Sequence, residues 1–215
     1  MNDVIVLGGG ASGMAAALTA LERGCTVTLI ERQARLGRKL LTTGNGRCNL
    51  TNEHAGPDHY HGERPEFCRY ALEQYPAAET LAWFAAMGLE TVTESDGRVY
   101  PRTNTANSVL DVLRAALARY ESLTLLTGDP VSAVKHKNGV FTCALESGAA
   151  VQSSRLVLAC GGAAGSKVGG VTDGYRLAKA LGHHRTALYP ALVQIKTDPA
   201  YPRALKGVKA EALLT

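Results

Sequence analysis

The first thirty-one residues carry the clearest pattern of hydrophobic and polar positions in the chain. The apolar run 4–7 predicts a buried parallel strand. Apolar residues at helical spacing over 14–21 predict a helix that closes at Gly24. A second apolar strand over 26–30 ends in Glu31. Strand, glycine-rich turn, helix, strand and acid follow one another in the order of a dinucleotide-binding unit.

The turn after the first strand reads Gly8-Gly9-Gly10-Ala11-Ser12-Gly13 and matches G-x-G-x-x-G. Gly8 is expected to permit the tight turn, Gly10 to let the backbone approach a pyrophosphate, and Gly13 to let the helix pack closely. The free N–H groups of the helix start, at Ala11 and Ser12, are expected to face the phosphates. A chance match in a glycine-rich chain is the competing interpretation.

Glu31 is expected to accept hydrogen bonds from the hydroxyls of an adenosine ribose. A carboxylate at that point would repel a 2′-phosphate. NADP is therefore disfavoured as the ligand of this turn.

The middle of the chain predicts two short helices. Pro65 and Pro76 each suit a first helical position. The second helix is expected to bury a face made of Leu81, Phe84 and Ala85. Further elements are predicted as strand-like pieces near 90–93 and 98–100, a stronger helix over 107–120 and a third parallel strand over 123–126.

Residues 131–153 alternate with the two-residue period of β-structure. The segments 131–137 and 140–145 flank Asn138-Gly139, a strong hairpin signal, and a third short strand is expected over 149–153. A three-stranded antiparallel meander is therefore predicted, with an ordinary β excursion as the alternative.

Two further elements are predicted after the meander. An apolar strand over 156–160 ends in Gly161-Gly162, where the backbone could come close to a bound group. A helix is expected to start with Thr172 or Asp173 as its cap and to stop at Gly182.

Composition adds limits to this picture. The chain has 215 residues, 46% of them hydrophobic, and a net charge of +4. That charge is too small to argue for a nucleic-acid partner, so small anionic ligands fit better and no nucleic acid is expected.

Residues 4–21 are uncharged, but glycines interrupt them and no basic leader precedes them, so no membrane partner and a cytoplasmic location are predicted. Five scattered cysteines without C-x-x-C predict reduced thiols.

The loop after Glu31 interleaves basic residues with threonines, glycines and asparagines in ERQARLGRKLLTTGNGRCNLTN. This pattern favours a polar loop folded around a ligand over a solvated charged loop. The candidate ligand contacts there are Arg32, Arg38, Lys39, Thr43, Asn45, Gly46, Arg47, Cys48 and Asn49.

His54, His59 and His61 raise a metal hypothesis, but no ordered framework or recognised ligand spacing accompanies them, and no metal is expected.

The stretch LGRKLLTTGNGRCNLTN, placed after the glycine turn, resembles the signature of a family of bacterial and archaeal FAD-dependent oxidoreductases. That family includes aminoacetone oxidases and 3-dehydro-bile-acid Δ4,6-reductases. The resemblance implies an α/β fold: a Rossmann-like FAD-binding domain with a parallel sheet, a meander crossover at about 131–153 and a small helical insertion at about 57–105. It places the FAD-binding domain at 1–190 and the start of an inserted substrate domain at 191–215, with the C-terminal part of the family fold absent.

The resemblance also extends the candidate site. It implies that the backbone of Val131 contacts the adenine, and that Ala159-Cys160-Gly161-Gly162 matches an A-T-G-G element beside the flavin pyrophosphate, with Cys160 costing a hydroxyl contact. Asp173 and Gly174 match a T-G-D-G helix start near the flavin.

The function implied is hydride transfer through flavin N5 to or from a small organic substrate, with FAD as cofactor and NAD(P)H as a conceivable transient co-substrate. No catalytic residue is assigned. Two alternatives stay open: a silent nucleotide-binding remnant or one part of a split flavoprotein, completed by a partner chain or a homo-oligomer, and an NAD-binding dehydrogenase.

Overall fold

The computed structural model describes residues 1–190, 198–206 and 208. In chain order the strands are β1 (Asn2–Leu7), β2 (Val27–Glu31), β3 (Thr51–Asn52), β4 (Thr91–Thr93), β5 (Arg98–Pro101), β6 (Leu123–Thr127), β7 (Val131–Lys137), β8 (Val140–Leu145) and β9 (Ala150–Leu158). The α-helices are α1 (Ala11–Glu22), α2 (Arg69–Gln74), α3 (Ala77–Ala86), α4 (Ala106–Leu117), α5 (Asp173–Ala180) and α6 (Ala200–Ala204).

Six of these strands form one sheet in the order β6-β2-β1-β9-β8-β7. The first four run parallel, with Val4 of β1 opposite both Val27 of β2 and Arg155 of β9. The strands β8 and β7 are antiparallel to their neighbours. The predicted α/β, Rossmann-like architecture is therefore confirmed.

The meander differs from the prediction in its third strand. The expected strands at 149–153 and 156–160 are a single strand, β9, whose first half pairs with β8 and whose second half pairs with β1. Ser154 and Arg155, which join the two halves, include no glycine or proline that would turn the chain. The extended backbone therefore continues, and the meander is part of the main sheet.

The two faces of the sheet bury separate clusters of apolar side chains. On one face, Met14, Leu18 and Leu21 of α1 pack with α4 and with residues of β1 and β2. On the other face, Leu177 of α5 packs with Ile5 and with residues of β7 and β8. Burial of these side chains in two layers around the sheet fixes the positions of the strand ends.

The insertion is mixed rather than helical. It contains α2 and α3 together with β4 and β5, which confirm the strand-like pieces predicted near 90–93 and 98–100, and these two strands form an antiparallel sheet with β3 in the order β3-β5-β4. The strand β3 is only two residues long and lies in a polar stretch, which leaves no hydrophobic pattern to detect.

Two details of the predicted helices also change. Pro65 begins a 3₁₀ turn, Pro65–Cys68, whereas Pro76 precedes α3 as its N-cap instead of occupying the first helical position. No residue of α3 is fully buried, and Ala85 is exposed. Trp83 and Phe84 lie against the margin of the first cluster, so the helix covers an edge of the core and not its centre.

The chain divides into two units, residues 1–185 and 186–215. Most of the segment predicted to start a substrate domain, 191–215, lies outside the described residues. Within the described part, no helix has both the length and the apolar character needed to cross a membrane.

Candidate functional site

Four parallel strands end at one edge of the sheet, which forms the base of the candidate site. Strands β6, β2, β1 and β9 lie side by side and finish at Thr127, Glu31, Leu7 and Leu158. After β1 the chain passes through α1 to β2 on one side, while β9 lies on the other side. Ligands of open α/β sheets bind at such a change of direction, outside the carboxyl ends of the strands.

The glycine turn closes tightly on this edge. Gly8 has a φ of +107°, and a methyl group added to it would overlap the carbonyl oxygen of Ala159. A methyl group at Gly13 would overlap the carbonyl oxygen of Gly8. Glycine at both positions thus lets β1, α1 and the end of β9 meet without intervening side chains.

Gly10, between these two close contacts, borders open space. Nothing in the structure lies within 4 Å of the position that a Gly10 methyl group would take. Gly10 is also the N-cap of α1, where no side chain caps the helix and no acidic residue stands in the first turn. The first N–H groups of the helix have no partner inside it, so this end presents free donors and positive potential beside an open space.

Glu31 fastens the glycine turn to the second strand. Its Oε2 accepts a hydrogen bond of 2.7 Å from the Gly9 amide, and its Oε1 accepts one of 2.8 Å from the Gln33 amide. The carboxylate thus shapes the protein, and its contact with a ribose stays a prediction. Each oxygen retains a second lone pair for a ligand hydroxyl.

Gly9 is a residue that the motif did not single out. A methyl group there would overlap the Leu36 side chain and lie 3.0 Å from Cβ of Glu31. The Gly9 carbonyl also accepts a 2.9 Å hydrogen bond from the Gly37 amide. The run of three consecutive glycines was the available signal, because G-x-G-x-x-G leaves its second position free.

Long-range contacts join the polar loop to the segment after β9. The Lys39 ammonium donates to the Gly162 carbonyl over 3.2 Å, and the Arg32 guanidinium lies 3.5 Å from the Asp173 carboxylate. Arg38 donates to the Lys167 carbonyl over 3.4 Å. The structure therefore brings together two predicted site regions that are more than 120 residues apart in sequence.

The segment TTGNGRCN forms a tight turn with several left-handed residues. Gly44, Asn45, Gly46 and Cys48 have φ values of +55°, +57°, +86° and +60°. The Cys48 amide donates to the Thr43 carbonyl over 3.0 Å and closes the turn. Left-handed backbone is unusual for a cysteine, so this conformation is imposed by the surrounding turn.

The Cys48 side chain is buried under this turn. Burial raises the pKa of the Cys48 thiol, and a hydrogen bond with Thr43 opposes that rise only in part. The thiol is therefore protonated at neutral pH and is a poor nucleophile. Asn45 and Asn49 are exposed on the same turn.

The Arg47 side chain contacts residues of the insertion. Its Nη2 lies 2.5 Å from Oε1 of Glu94, its Nε donates to Asn104, and its guanidinium stacks 3.8 Å from the centre of the Tyr100 ring. These contacts tie the turn to β5 and its surroundings. The sequence did not indicate these protein contacts of Arg47, and its contact with a ligand stays a prediction.

The segment after β9 packs its backbone against β1. The Ala159 amide donates to the Leu7 carbonyl over 2.8 Å, and the Cys160 thiol donates to the same oxygen over 3.5 Å. The Cys160 thiol thus contacts β1, and the lost hydroxyl contact with the cofactor that the resemblance implied stays a prediction. Burial raises the pKa of this thiol, and the nearby carboxylates of Glu31 and Asp173 raise it further.

The start of α5 approaches this segment closely. A methyl group on Gly174 would lie 2.7 Å from Cβ of Cys160, and one on Gly162 would lie 2.5 Å from the Tyr175 hydroxyl. Gly161 has a φ of +70°. Thr172 occupies the N-cap position of α5, as predicted. Its side chain, however, accepts no capping hydrogen bond from the backbone.

Val131 begins β7 and packs at the margin of the second apolar cluster, which contains Leu7 and Ile30. A register shift follows it, between Val131 and Ala133.

No group of three His, Cys, Asp or Glu side chains in the described ranges is arranged to hold a metal ion.

Comparisons with known proteins agree with this architecture. The model of the HI0933-like protein Rossmann domain matches residues 2–213. The chain is 40% identical to a 3-dehydro-bile acid Δ(4,6)-reductase of Clostridium scindens over 99% of its own length and 52% of that protein. It is 30% identical to a ribosomal RNA dihydrouridine synthase of Escherichia coli over 84% of its length and 44% of that protein. The chain spans about half the length of the curated relatives it matches.

Solved structures share the fold at low sequence identity. An open flavocytochrome c3 fumarate reductase matches 83% of this chain and 40% of its own, with a TM-score of 0.60 at 16% identity. THI4 of Thermovibrio ammonificans matches 85% of this chain and 62% of its own, with a TM-score of 0.53 at 16% identity. Because the family match covers nearly every residue, the resemblance noted from the sequence is confirmed, and the chain belongs to the HI0933-like family of FAD-dependent oxidoreductases.

Proposed function

We propose that this chain binds FAD at the carboxyl edge of its sheet and is the cofactor-binding part of an FAD-dependent oxidoreductase. The observation that carries the proposal is the packing of the glycine turn. Backbone atoms fill the space beside Gly8 and Gly13, while Gly10 between them borders open space. Such a turn leaves room for a pyrophosphate at one point only, beside the uncapped start of α1.

The residues present fit the two halves of FAD. The turn residues would hold the pyrophosphate, and Glu31 would hold the adenosine ribose with its remaining lone pairs. The residues that would contact the rest of the cofactor are Arg32, Arg38, Lys39, Thr43, Asn45, Gly46, Cys48, Asn49, Val131, Ala159, Cys160, Gly161, Gly162, Asp173 and Gly174. Arg47 would act through the turn, since its guanidinium contacts Glu94 and Tyr100.

When bound, FAD supplies hydride transfer at flavin N5, to or from a small organic substrate, and NAD(P)H is the proposed transient donor. The chain's own contribution is to bind and orient. The thiols of Cys48 and Cys160 have raised pKa values and are protonated at neutral pH, which does not support dithiol exchange with a substrate. We assign no catalytic acid or base to this chain.

The relatives are named for different substrates, and this bears on the task of the region they share with this chain. One is named for a bile acid and another for ribosomal RNA, and both match this chain over less than two thirds of their length. A region shared by proteins named for such different substrates is best suited to the task they have in common. We therefore propose that this region handles the flavin and that substrate choice lies in the part of the relatives that it does not match.

The decisive experiment is an absorption spectrum of the purified chain. We expect a flavin spectrum and release of FAD, near one per chain, on denaturation. After removal of the flavin, FAD should rebind while FMN, which lacks the AMP half, should not. Gly10→Val should abolish FAD binding, because the added side chain would fill the open space. Stoichiometric flavin in Gly10→Val, or equal binding of FMN, would contradict this placement.

A second candidate follows from the coverage of the relatives. Since the chain spans about half of their length, it could act as one part of a flavoprotein completed by another polypeptide or a second copy. Light scattering of the FAD-loaded chain and an NADPH oxidation assay separate the two. A monomer that oxidises NADPH supports the first proposal, whereas an FAD-loaded chain that is inactive until a second polypeptide is added supports the split flavoprotein. An NAD-binding dehydrogenase would instead bind NAD in competition with FAD.

A further inference from the structure

A hollow of about 360 Å³ lies between the loop after β2 and helix α4. It is lined by Gln33, Ala34, Arg35, Leu36, Arg38, Leu41, Asn107, Leu110 and Arg114. The glycine turn and Glu31 are not among these residues. Its volume is in the range of a small-molecule site.

The charge of the hollow is entirely positive. Arg35, Arg38 and Arg114 line it together, and no lining residue is acidic. Arg38 donates to the Gln33 side chain and the Lys167 carbonyl, and Arg114 donates to the Leu36 carbonyl over 2.6 Å. All of these acceptors are neutral.

Some arginines outside the hollow pair with carboxylates. Arg32, Arg98 and Arg102 each contact a carboxylate. Over the ranges that the structure describes, none of the recorded ion pairs involves the three arginines of the hollow. Guanidinium groups gathered without a counter-charge in a concave surface favour an anion, and their planar donors suit phosphate oxygens.

The remaining lining is apolar or neutral. Leu36 and Leu110 are buried, 5% and 1% exposed, so the apolar surface open to a ligand is that of half-buried Leu41 and exposed Ala34. The amides of Gln33 and Asn107 add donors and acceptors. A ligand that matches all three features has a phosphate, a flat apolar ring and polar ring edges.

We propose that this hollow binds a phosphorylated adenosine, separately from the flavin site. The arginines hold the phosphate, Leu41 and Ala34 pack against the base, and the two amides reach its polar edge. The same chemistry occurs in a free adenosine phosphate and in the adenosine end of NADPH. The hollow shares Arg38 with the residues proposed for FAD, whereas its other lining residues, the glycine turn and Glu31 belong to only one of the two sites.

The test is calorimetric titration of the full chain with adenosine 2′,5′-bisphosphate, adenosine, inorganic phosphate, NADPH and NADH, before and after saturation with FAD. The bisphosphate should bind at least about tenfold more tightly than adenosine and should weaken as salt is raised. Binding should persist in the FAD-saturated chain. NADPH binding more tightly than the bisphosphate identifies a dinucleotide as the source, and NADPH binding no more tightly identifies a free nucleotide.

Arg35→Gln is the matched variant, because Arg35 lines the hollow and is not among the residues assigned to FAD. It should weaken bisphosphate binding about tenfold, the effect of one charge-assisted hydrogen bond, and leave the flavin content unchanged. Arg119→Gln removes the same charge from an exposed position outside the hollow and should change neither. Equal affinity of Arg35→Gln and the wild-type chain, displacement of the bisphosphate by FAD, or failure to bind at millimolar concentration would each overturn the proposal. Flavin content is measured separately, so failure of FAD binding is distinguishable.

Discussion

Two glycine-rich segments meet at the carboxyl edge of the sheet, and they are held in different ways. The amino-terminal segment, Gly8–Gly13, leads into α1, which buries Met14, Leu18 and Leu21. The carboxyl-terminal segment, Gly161–Gly174, leads into α5, which buries Leu177 alone among its residues. The first segment is therefore fixed by the core of the protein.

The second segment depends on contacts between polar groups. Lys39 donates to Gly162, and Arg32 meets Asp173 at 3.5 Å with both side chains at least a third exposed. Exposed ion pairs of this kind contribute about 0–1 kcal/mol. The comparison teaches that one side of the candidate site is preformed by packing, whereas the other side is the place where a bound cofactor could add most of the stability.

The largest effect is expected at the centre of the preformed side. Gly13→Val places a branched side chain where even one methyl group overlaps the Gly8 carbonyl oxygen. We expect the free energy of unfolding to fall by at least about 3 kcal/mol, measured by urea denaturation. Ser12→Val, one residue earlier and exposed, is the control and should cost far less. Similar stability of the two variants would mean that the turn is not closed by packing.

The second effect concerns the carboxylate that fastens the same segment. In Glu31→Gln the side chain loses its charge and one of its two acceptors, yet Gly9 and Gln33 both donate to it. The free energy of unfolding should fall by about 2 kcal/mol, since charge-assisted hydrogen bonds to the backbone are lost. FAD affinity should fall as well. Glu22→Gln, at the exposed end of α1, is the matched control and should be neutral.

The sequence predicted the preformed side well. The strands β1 and β2, helix α1 and the close packing at Gly8 and Gly13 follow from apolar periodicity and glycine positions, which are local features. The need for glycine at position 9 was missed because it arises from contact with Leu36, a residue that follows β2 in the chain.

The other side could not be predicted in the same way. The contacts of Lys39 with Gly162 and of Arg32 with Asp173 join residues more than 120 positions apart, and no local pattern encodes them. The contact of Arg47 with Glu94 of the insertion joins residues 47 positions apart, and it too has no local pattern. The fused strand β9 was read as two strands because polar residues interrupt its apolar pattern.

A third and smaller effect tests the carboxyl-terminal segment. Gly174→Ala brings a methyl group to 2.7 Å from Cβ of Cys160, but α5 is lightly anchored and can shift. We expect a loss of about 1 kcal/mol in the free energy of unfolding. In a Cys160→Gly background the same substitution should cost less, which a double-mutant cycle measures. An equal cost in both backgrounds would show that the two residues are not in contact.

The smallest effect on stability is expected at Gly10, and it separates folding from binding within the preformed segment. Gly10 has a φ of −78°, which alanine adopts readily, and nothing lies within 4 Å of the added methyl group. Gly10→Ala should therefore change the free energy of unfolding by less than about 0.5 kcal/mol. If the open space is the seat of a pyrophosphate, the same methyl group should weaken FAD binding at least about tenfold, measured by flavin fluorescence. A variant that keeps both its stability and its FAD affinity would show that the space beside Gly10 serves another purpose, because no atom of the described residues lies close enough to exclude a side chain there.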